Sequence, residues 1–517
     1  MKPLLACSLT VHDPSLTLLT PDGGLWAIEL ERLSRRRYNL VDHDELTAAY
    51  LAGAVPNGGP DDRLVGRGVG YLLEAAGLSA EDVDVVGARP GDRRVELGGR
   101  HLDLRVGHHE AHAASAAYPS GFAECAVLIV DALGEPRGYG LAESVSIWHC
   151  RGASLERVHE VLSPSSGRRH TSLGLFYSDM TILAGFRVLD AGKTMGLAPY
   201  GDRRFVEAVR GAVRWDAPDG QAVFDRDALA PIRARRGEEG FAASVARAAQ
   251  EVLEEVLARY ARLAVELTGS RALAMAGGVA LNSVANQWLL DDGVVDELWV
   301  QPAANDGGLS LGAGLRARAV RGEAMPSDYK GFRLGRSYGP TAAPPVDETV
   351  DLLLRGAIVG LVEGGSEFGP RALGRRSLLA LPADAAMKDR INARKGREGF
   401  RPVAPVVRWP EARRWFAIES PSPYMLRVVP VLSDALPAVT HVDGTARVQT
   451  LRSGESDTLW ALLAALEERG HPGVLVNTSL NARGEPITET PDEALALLED
   501  GSVDALLLDG ELRRRRA

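Results

Sequence analysis

Cysteine is scarce in this chain, since Cys7, Cys125 and Cys150 are the three present among 517 residues. So few thiols in so long a chain exclude a disulfide framework and predict a reduced compartment, for which we expect the cytoplasm. The opening MKPLLAC resembles a lipoprotein cleavage site, but its apolar stretch is shorter than the roughly 7 to 15 residues of a signal peptide. We therefore interpret Leu4 to Leu9 as a first buried strand.

Long apolar runs and an excess of positive charge are also missing. No run approaches the roughly 20 apolar residues of a membrane-spanning helix, so we expect no membrane partner. The formal net charge of -10 argues against a general nucleic-acid binder. Any anionic ligand must therefore be bound by a local group of basic residues.

The residues that are present show an α/β pattern in two domains. The 517 residues exceed the roughly 250 to 300 that one hydrophobic core supports. Strand-like runs at Val83 to Ala88, Ala126 to Asp131 and Ala272 to Ala276 alternate with helices. The strongest helix runs from Val245 to Leu267, because its apolar residues recur every three or four positions.

A second α/β region follows a Gly- and Pro-rich segment from Gly335 to Pro345. In this region Ala357 to Val362 and Gly473 to Val476 are strand-like. Ser456 is placed to cap a helix through Glu468, and Thr490-Pro491 to open another. We expect domains at residues 1–335 and 346–517.

The segment GHHEAHAASAAY places His108 and His112 four residues apart. On a helix this spacing puts both imidazoles on one face, where a single ion can meet both. A pair of surface or capping histidines is as common an explanation of an isolated HxxxH, so both interpretations stay open. A zinc-protease HExxH site is excluded, because Glu110 follows His109, which has no histidine four residues later.

Two carboxylates strengthen the metal interpretation. Asp131 ends an apolar strand, and open α/β sheets bind ligands at the carboxyl ends of their strands. Asp306 lies in NDGGLSLGAG, where small residues permit close backbone approach and a helix begins at Leu309. Taken alone, a strand-terminal aspartate is often only a helix or turn cap, and a DGG is more often a turn than a site.

A glycine pair at a strand-to-helix junction is typical of nucleotide sites. Gly277 and Gly278 follow the strand ALAMA and lead to Asn282, so a nucleotide can approach the backbone while a helix N-terminus faces phosphate. A tight structural turn is the alternative. His12 closes the first strand and would by itself be an ordinary loop histidine.

The second domain concentrates groups suited to anions. Arginine forks match phosphate oxygens in bidentate fashion, while asparagine and serine offer neutral donors and acceptors to a carboxamide. Aromatic and proline residues flank the basic ones, which favours a pocket over scattered surface salt bridges. The candidates are Arg371, Lys395, Arg401, Arg447, Asn477, Ser479 and Asn481.

Eight motifs, in order along nearly the whole chain, together resemble the nodulation and antibiotic-type O-carbamoyltransferases. They are HHEAHAASAAY, IVDALGE, GKTMGLAPYG, GGVALN, EFGPRALGRRS, REGFRPVAP, HVDGTARVQT and VNTSLNARGEP. The resemblance implies an N-terminal actin-like ATPase domain, a duplicated RNase H-like fold similar to the tRNA threonylcarbamoyl-transfer protein. It also implies a C-terminal α/β twisted-sheet domain of the carbamoyl-adenylate-forming type.

The same resemblance implies the reaction. In that family, carbamoyl phosphate and ATP give carbamoyl-adenylate in the C-terminal domain, and the carbamoyl group passes to an acceptor hydroxyl in the N-terminal domain. We therefore expect ATP as co-substrate and a hydroxyl-bearing small natural product as acceptor. A divalent metal is also implied, with Fe2+ as the first expectation and Mn2+, Zn2+ or Mg2+ as alternatives.

Motif position implies a role for each candidate residue. His12 would be the base that activates the acceptor hydroxyl, since a neutral histidine near its normal pKa accepts a proton at pH 7. The metal ligands would be His108, His112, Asp131 and Asp306. The nucleotide region would contain Arg37, Lys193, Gly277, Gly278 and Asn282. Carbamoyl phosphate would bind Arg371, Lys395, Arg401, Arg447, Asn477 and Ser479.

Two departures from the family pattern concern the adenylate. Asp13-Pro14-Ser15 follows His12 where the family has HDAA or HDGA, and LERLSRRRY places Arg37 where a lysine is usual and Tyr38 where a histidine is. Two other functions stay open: carbamoylation of a nucleoside or tRNA-linked acceptor, and a non-catalytic actin-like nucleotide-binding scaffold. The scaffold predicts gaps among the charged motifs, and we find none. A homodimeric assembly is also left open.

Overall fold

The protein forms two compact units in a computed structural model, which describes residues 2–38, 43–52, 59–88, 100–217, 219–339 and 342–515. The first unit comprises Met1–Glu31 and Tyr38–Ser327, and the second comprises Arg32–Arg37 and Asp328–Ala517. A short segment from near the N-terminus therefore belongs to the second unit.

The boundary predicted at residues 335–345 lies inside the second unit, although residues 340 and 341 are outside the described ranges. Backbone hydrogen bonds explain the difference. The Gly335 N–H donates to the Ser366 carbonyl at 3.0 Å, and the Phe368 N–H donates to the Phe332 carbonyl at 2.8 Å. Composition does not reveal such long-range pairing.

Five strands form the first sheet of the first unit: β1 (Leu4–Ser8), β2 (Ser15–Leu19), β3 (Leu25–Glu29), β4 (Asp84–Ala88) and β5 (Arg100–Val106). Their order is β3-β2-β1-β4-β5. β2 is antiparallel to both of its neighbours, whereas β1, β4 and β5 run parallel.

The unit continues with β6 (Glu124–Val130), β7 (Pro136–Gly138), β8 (Leu141–Arg151), β9 (Ser154–Pro164), β10 (Arg169–His170), β11 (Val213–Asp216), β12 (Gln221–Asp225), β13 (Ala272–Ala276) and β14 (Glu297–Val300). β10 to β12 form a small sheet. In the second large sheet, β14, β13, β6, β8 and β9 are successive neighbours. β14, β13 and β6 run parallel, whereas β8 is antiparallel to β6 and β9 and also pairs with the short antiparallel strand β7. This repeats the order and directions of the first sheet. The predicted duplicated RNase H-like, actin-type domain is therefore confirmed.

The helices of this unit are α1 (Leu30–Ser34), which continues into the second unit, and α2 (His43–Leu51), α3 (Asp62–Ala76), α4 (His108–Ala117), α5 (Leu173–Leu183), α6 (Ala191–Leu197), α7 (Val206–Gly211), α8 (Ala230–Arg233), α9 (Phe241–Thr268), α10 (Ser283–Asp291) and α11 (Leu309–Val320). α11 packs on β1, α4 packs on β13, and the two helices pack on each other. Their contact is close, because a Cβ at Gly312 would lie 1.8 Å from the Ala111 carbonyl oxygen.

The second unit contains β15 (Val359–Val362), β16 (Arg376–Ala380), β17 (Ala404–Arg408), β18 (Val428–Pro430), β19 (Thr445–Arg447), β20 (Gln449–Leu451), β21 (Val474–Ser479), β22 (Ala505–Leu508) and β23 (Glu511–Arg514), with α12 (Val346–Leu354), α13 (Ala386–Arg394), α14 (Trp409–Trp415), α15 (Asp457–Glu468) and α16 (Pro491–Glu499). Seven strands form one sheet in the order β20-β17-β21-β16-β15-β22-β23. Leu378 and Val476 enter one buried cluster, while Leu379 and Leu475 enter another. Alternate residues thus bury both faces of the sheet, as expected for an α/β domain.

Local sequence patterns predicted one helix and two helix caps correctly. The helix predicted from Val245 lies inside α9, which begins at Phe241. Ser456 and Thr490 each accept a backbone N–H three residues ahead, so both predicted caps are confirmed. Among the residues described, no helix is long and apolar enough to cross a membrane.

Candidate active site

Four buried side chains in the first unit converge on one point, and we name them the His/Asp cluster: His108, His112, Asp131 and Asp306. α4 presents the two histidines one turn apart, Asp131 follows β6, and Asp306 precedes α11. His108 Nε2 lies 3.1 Å from Asp131 Oδ2 and 3.5 Å from Asp306 Oδ1. His112 Nε2 lies 3.6 Å and 3.5 Å from the same two oxygens. One ligand atom from each residue lies within 4.8 Å of the others, so the group could hold a metal ion.

The electrostatics of this cluster favour a cation. Burial opposes ionisation of Asp131, but the two histidines hold its pKa well below the ordinary value. Burial also opposes ionisation of Asp306, yet the charge of His108 helps to keep its pKa low. Burial lowers the pKa of His112, but both aspartates outweigh it and raise this pKa to about 9. Two buried carboxylates therefore attract positive charge, which a divalent ion would supply in place of protons.

His12 lies at the edge of this cluster. Its Nε2 is 4.0 Å from Asp306 Oδ2, and its Nδ1 is 3.0 Å from Asp13 Oδ2. Burial lowers the pKa of His12, but Asp13 outweighs this effect and raises it to about 10. This differs from the expectation of a pKa near the normal value, because the sequence did not show that Asp13 folds back onto the ring.

The turn at Gly277 and Gly278 holds the Asp131 side chain through a backbone hydrogen bond. Gly277 has a φ of 89°, and a Cβ there would lie 2.3 Å from the Val130 carbonyl oxygen, so glycine is required. The Gly278 N–H donates to Asp131 Oδ1 at 3.1 Å. Asn282 caps α10, and its buried amide pairs with Gln250 at 2.9 and 3.0 Å. These contacts give the turn a structural role, and its nucleotide role stays a prediction.

Lys193 lies on α6 with a specific partner. Its Nζ is 3.0 Å from Asp190 Oδ2 and 5.8 Å from the centre of the Phe186 ring. About a fifth of the side chain is exposed (22%), so the ammonium group is within reach of a ligand.

The second unit gathers basic side chains into what we name the cationic cluster: Arg37, Arg371, Lys395, Arg397, Arg401 and Arg447. Burial lowers the pKa of Arg447 well below its ordinary value. The nearby charges of Arg371, Arg397 and Arg401 lower this pKa further. Such mutual repulsion is relieved when an anion binds. The cluster is therefore suited to a phosphorylated ligand.

Lys395 is held by neutral acceptors in this cluster. Its Nζ donates to the Ser479 carbonyl at 2.5 Å, to Ser479 Oγ at 3.3 Å and to Asn481 Oδ1 at 2.6 Å. Burial lowers the pKa of Lys395, as do the charges of Arg397, Arg401 and Arg37. The structure thus groups Arg37 with the second unit, whereas the sequence grouped it with nucleotide residues of the first.

Arg397 was missing from the predicted residues. Burial and the charge of Arg401 lower its pKa to about 9, and its Nε donates to Asn392 Oδ1 at 2.6 Å. Its position between Lys395 and Arg401 in KGREGFRP was the signal that could have identified it.

Asn477, within the central strand β21, presents an unmatched acceptor. Its Nδ2 donates to Gln449 Oε1 at 2.6 Å and to the Ala372 carbonyl at 3.3 Å. Its Oδ1 is buried and has no hydrogen-bond partner among the described residues. A buried acceptor without a donor is costly, so a ligand N–H would stabilise it. Gln449, which orients this amide, was not predicted.

Comparison with known proteins supports the resemblance found in the motifs. The family model described as Carbamoyltransferase N-terminus matches residues 100–315, and the model described as Carbamoyltransferase C-terminus matches residues 350–515. The chain is 30% identical to 3'-hydroxymethylcephem-O-carbamoyltransferase from Amycolatopsis lactamdurans, with 96% of each chain covered. It is 34% identical to nodulation protein NolO from Bradyrhizobium diazoefficiens, with 80% of this chain and 79% of the relative covered. This chain therefore belongs to the carbamoyltransferase family and is an enzyme that transfers carbamoyl groups.

Proposed function

We propose that the enzyme joins two half-reactions. The second unit converts carbamoyl phosphate and ATP to carbamoyl-adenylate, and the first unit transfers the carbamoyl group to a hydroxyl of a small natural product. The observation that carries this proposal is the cationic cluster, in which neighbouring positive charges lower the pKa values of Lys395 and Arg447 and which an anion would stabilise. Both substrates of the first half-reaction are polyanions.

The chemistry of adenylate formation suits these residues. Water takes the phosphoryl group of carbamoyl phosphate, which gives carbamate and phosphate. A carbamate oxygen then attacks the α-phosphorus of ATP, and pyrophosphate leaves as the new O–P bond forms. Arginine forks such as those of Arg371 and Arg447 would bind the phosphate oxygens. Asn477 Oδ1, which is buried and has no hydrogen-bond partner in the part of the chain that the structure describes, would accept from the carbamoyl amide.

In the transfer step, we assign His12 the role of base in its neutral form, which a divalent ion bound beside it would favour by opposing the carboxylates that raise its pKa. Its Nε2 would accept the proton of the acceptor hydroxyl as the oxygen attacks the carbamoyl carbon, and AMP would leave with the electrons of the broken C–O bond. Asp13 would hold the ring through Nδ1, as in other His–Asp pairs. His108, His112, Asp131 and Asp306 would hold a divalent ion, and when bound it would neutralise phosphate charge.

The choice of ion follows from its ligands. Mixed imidazole and carboxylate donors suit Fe2+, Mn2+ and Zn2+, while Mg2+ prefers oxygen ligands. We propose Fe2+ first. Lys193 and the turn at Gly277 and Gly278 would face the adenylate. We also propose a cytoplasmic location, because the three cysteines are buried free thiols.

A pair of variants tests the division of labour. Purified enzyme would be incubated with ATP, labelled carbamoyl phosphate and Fe2+, and pyrophosphate and labelled adenylate would be measured without any acceptor. We expect Arg447→Ala to lose this step and His12→Ala to retain it while losing transfer to an alcohol. Arg452→Ala, an exposed arginine just beyond β20, is the matched control and should behave as wild type.

Two outcomes contradict the proposal. If wild-type enzyme forms no carbamoyl-adenylate with Fe2+, nor with Mn2+, Zn2+ or Mg2+ in its place, the proposed adenylate chemistry is wrong. If both variants lose the first step equally, the two units do not divide the reaction as proposed.

A further inference from the structure

Glu143 on β8 is a buried carboxylate that the proposed reaction does not use. Its side chain is 1% exposed. Oε2 accepts the backbone N–H of His109 at 3.3 Å and that of Glu135 at 3.2 Å. Oε1 accepts from the guanidinium groups of Arg137 and Arg157. A single carboxylate therefore joins three separate parts of the first unit.

Two of those parts carry ligands of the His/Asp cluster. His109 is the second residue of α4, directly after the ligand His108. Glu135 ends the loop that begins with the ligand Asp131. Backbone bonds reinforce the second connection, since the Gly134 N–H donates to the Glu143 carbonyl at 2.7 Å.

The local sequence explains why α4 needs an external acceptor. The first turn of a helix has N–H groups without intrahelical partners, and a side chain at the N-cap position usually accepts one of them. Gly107 occupies the N-cap position here and has no side chain. Glu143 accepts the His109 N–H instead, and its negative charge lies at the positive end of the α4 dipole.

Ser146, also on β8, holds the other side of His109. His109 Nδ1 lies 2.9 Å from Ser146 Oγ, which also accepts from Trp148 Nε1 at 2.8 Å. His109 is thus held through both its backbone and its ring. Because His109 lies in the first turn of α4, these two contacts set the orientation of that turn. That turn determines where His108 Nε2 lies.

We propose that Glu143 is a positioning residue for the metal site, holding the first turn of α4 and the loop after β6 at the separation that lets His108 and Asp131 share one ion. This inference rests on the proposed metal role of the His/Asp cluster. Among the residues that the structure describes, the Glu143 side chain accepts hydrogen bonds from His109, Glu135, Arg137 and Arg157 rather than from the ligands themselves. Its effect acts through the backbone to which the ligands are attached.

Cobalt provides a direct test, because Co2+ bound by imidazole and carboxylate has a visible spectrum that reports ligand geometry. Co2+ alone would be titrated into wild-type protein and Glu143→Gln while absorbance is recorded. The side-chain amide introduced by Glu143→Gln has one acceptor oxygen, so it cannot accept from both backbone N–H groups and both arginines. We therefore expect this variant to bind Co2+ about 10- to 100-fold more weakly than wild type, with an altered spectrum. Pyrophosphate release in the second unit should be unchanged.

Matched variants separate the outcomes. Glu160→Gln removes the other carboxylate that pairs with Arg137 and Arg157, and it should leave Co2+ binding and spectrum at wild-type values. Glu143→Asp keeps the charge but shortens the side chain by one methylene, so its loss of Co2+ affinity should be intermediate. This variant replaces Glu143→Gln in the test if Glu143→Gln does not fold. Wild-type affinity and spectrum in a folded position-143 variant would overturn the proposal.

The ligand variant His108→Ala shows which claim fails. If His108→Ala binds Co2+ like wild type, the metal site itself is wrong. If His108→Ala loses the ion while Glu143→Gln keeps it unchanged, only the role of Glu143 is wrong.

Discussion

Gly312→Ala should disrupt the His/Asp cluster from a distance. Gly312 lies where α11 crosses α4, and an added Cβ would lie 1.8 Å from the Ala111 carbonyl oxygen and 2.6 Å from its carbon. Both contacts are with backbone, so no side-chain rotation relieves them. α11 and α4 must separate, and both position ligands: Asp306 begins the short 3-10 turn that leads into α11, and His108 and His112 lie on α4.

The magnitude follows from the size of the overlap. Ordinary carbon–oxygen contact needs more than 3 Å, so the helices must shift by about 1 Å, and overpacking of this kind costs roughly 1–3 kcal/mol. In a unit of this size, with an unfolding entropy of about 2.1 cal/mol/K per residue, we expect the melting temperature to fall by about 1.5 °C per kcal/mol. Metal–ligand distances tolerate about 0.2 Å, so the ion should bind at least 10-fold more weakly.

Thermal unfolding and Co2+ titration measure the two effects. Gly70→Ala is the control, because Gly70 lies in α3 and no atom of the described residues comes within 4 Å of the added Cβ. This variant should gain up to about 1 kcal/mol from helix propensity. The reasoning is refuted if Gly312→Ala unfolds at the wild-type temperature and binds Co2+ with wild-type affinity.

Three further results are expected. Burial raises the pKa of Glu254 from 4.5 to about 7, so the contribution of its protonated form to stability is fully present below pH 4.5 and is lost as the pH rises through 7. Glu254→Gln should remove this loss, at most about 3 kcal/mol between pH 4.5 and pH 8, as measured by denaturant unfolding. Asp13→Asn should move the pKa of His12 from about 10 towards 6.5 in an NMR titration of metal-free protein, and an unchanged pKa would remove Asp13 as its cause. Thr490→Ala should cost about 1 kcal/mol in unfolding free energy, because it removes the cap of α16, and a neutral result would contradict that role.

Elements with strong local signals were predictable from the sequence. Ser456 and Thr490 cap helices through contacts three residues away, and such contacts depend on local sequence alone. The spacing of His108 and His112 likewise predicted a shared helix face. Asp131 was placed correctly at the end of a strand because the run before it, Ala126 to Val130, is apolar throughout.

Other features depend on pairing between distant residues. The segment from Arg32 to Arg37 joins the second unit through contacts such as that of Arg35 with the Ile487 carbonyl at 2.8 Å, 452 residues away. No pattern near residue 35 predicts this partner. The raised pKa of His12 is unpredicted for a related reason, because Asp13 can reach the ring in one loop conformation and solvent in another.

The two aspartates of the His/Asp cluster show how topology supplies what spacing cannot. Asp131 and Asp306 are 175 residues apart, and neither segment alone indicates that they meet. The duplicated strand order brings them together, since β6 lies in the second sheet while α11, which follows Asp306, packs on β1 of the first. The family resemblance anticipated this arrangement, and periodicity did not.

Detection of carbamoyl-adenylate tests the central claim most directly. Wild-type enzyme at a concentration near that of its substrates would be mixed with ATP and 13C-labelled carbamoyl phosphate without an acceptor, then quenched and analysed by mass spectrometry. We predict labelled carbamoyl-adenylate together with one equivalent each of pyrophosphate and phosphate. Transfer of the label to an added alcohol without ATP, or with ADP as the nucleotide product, would contradict the account.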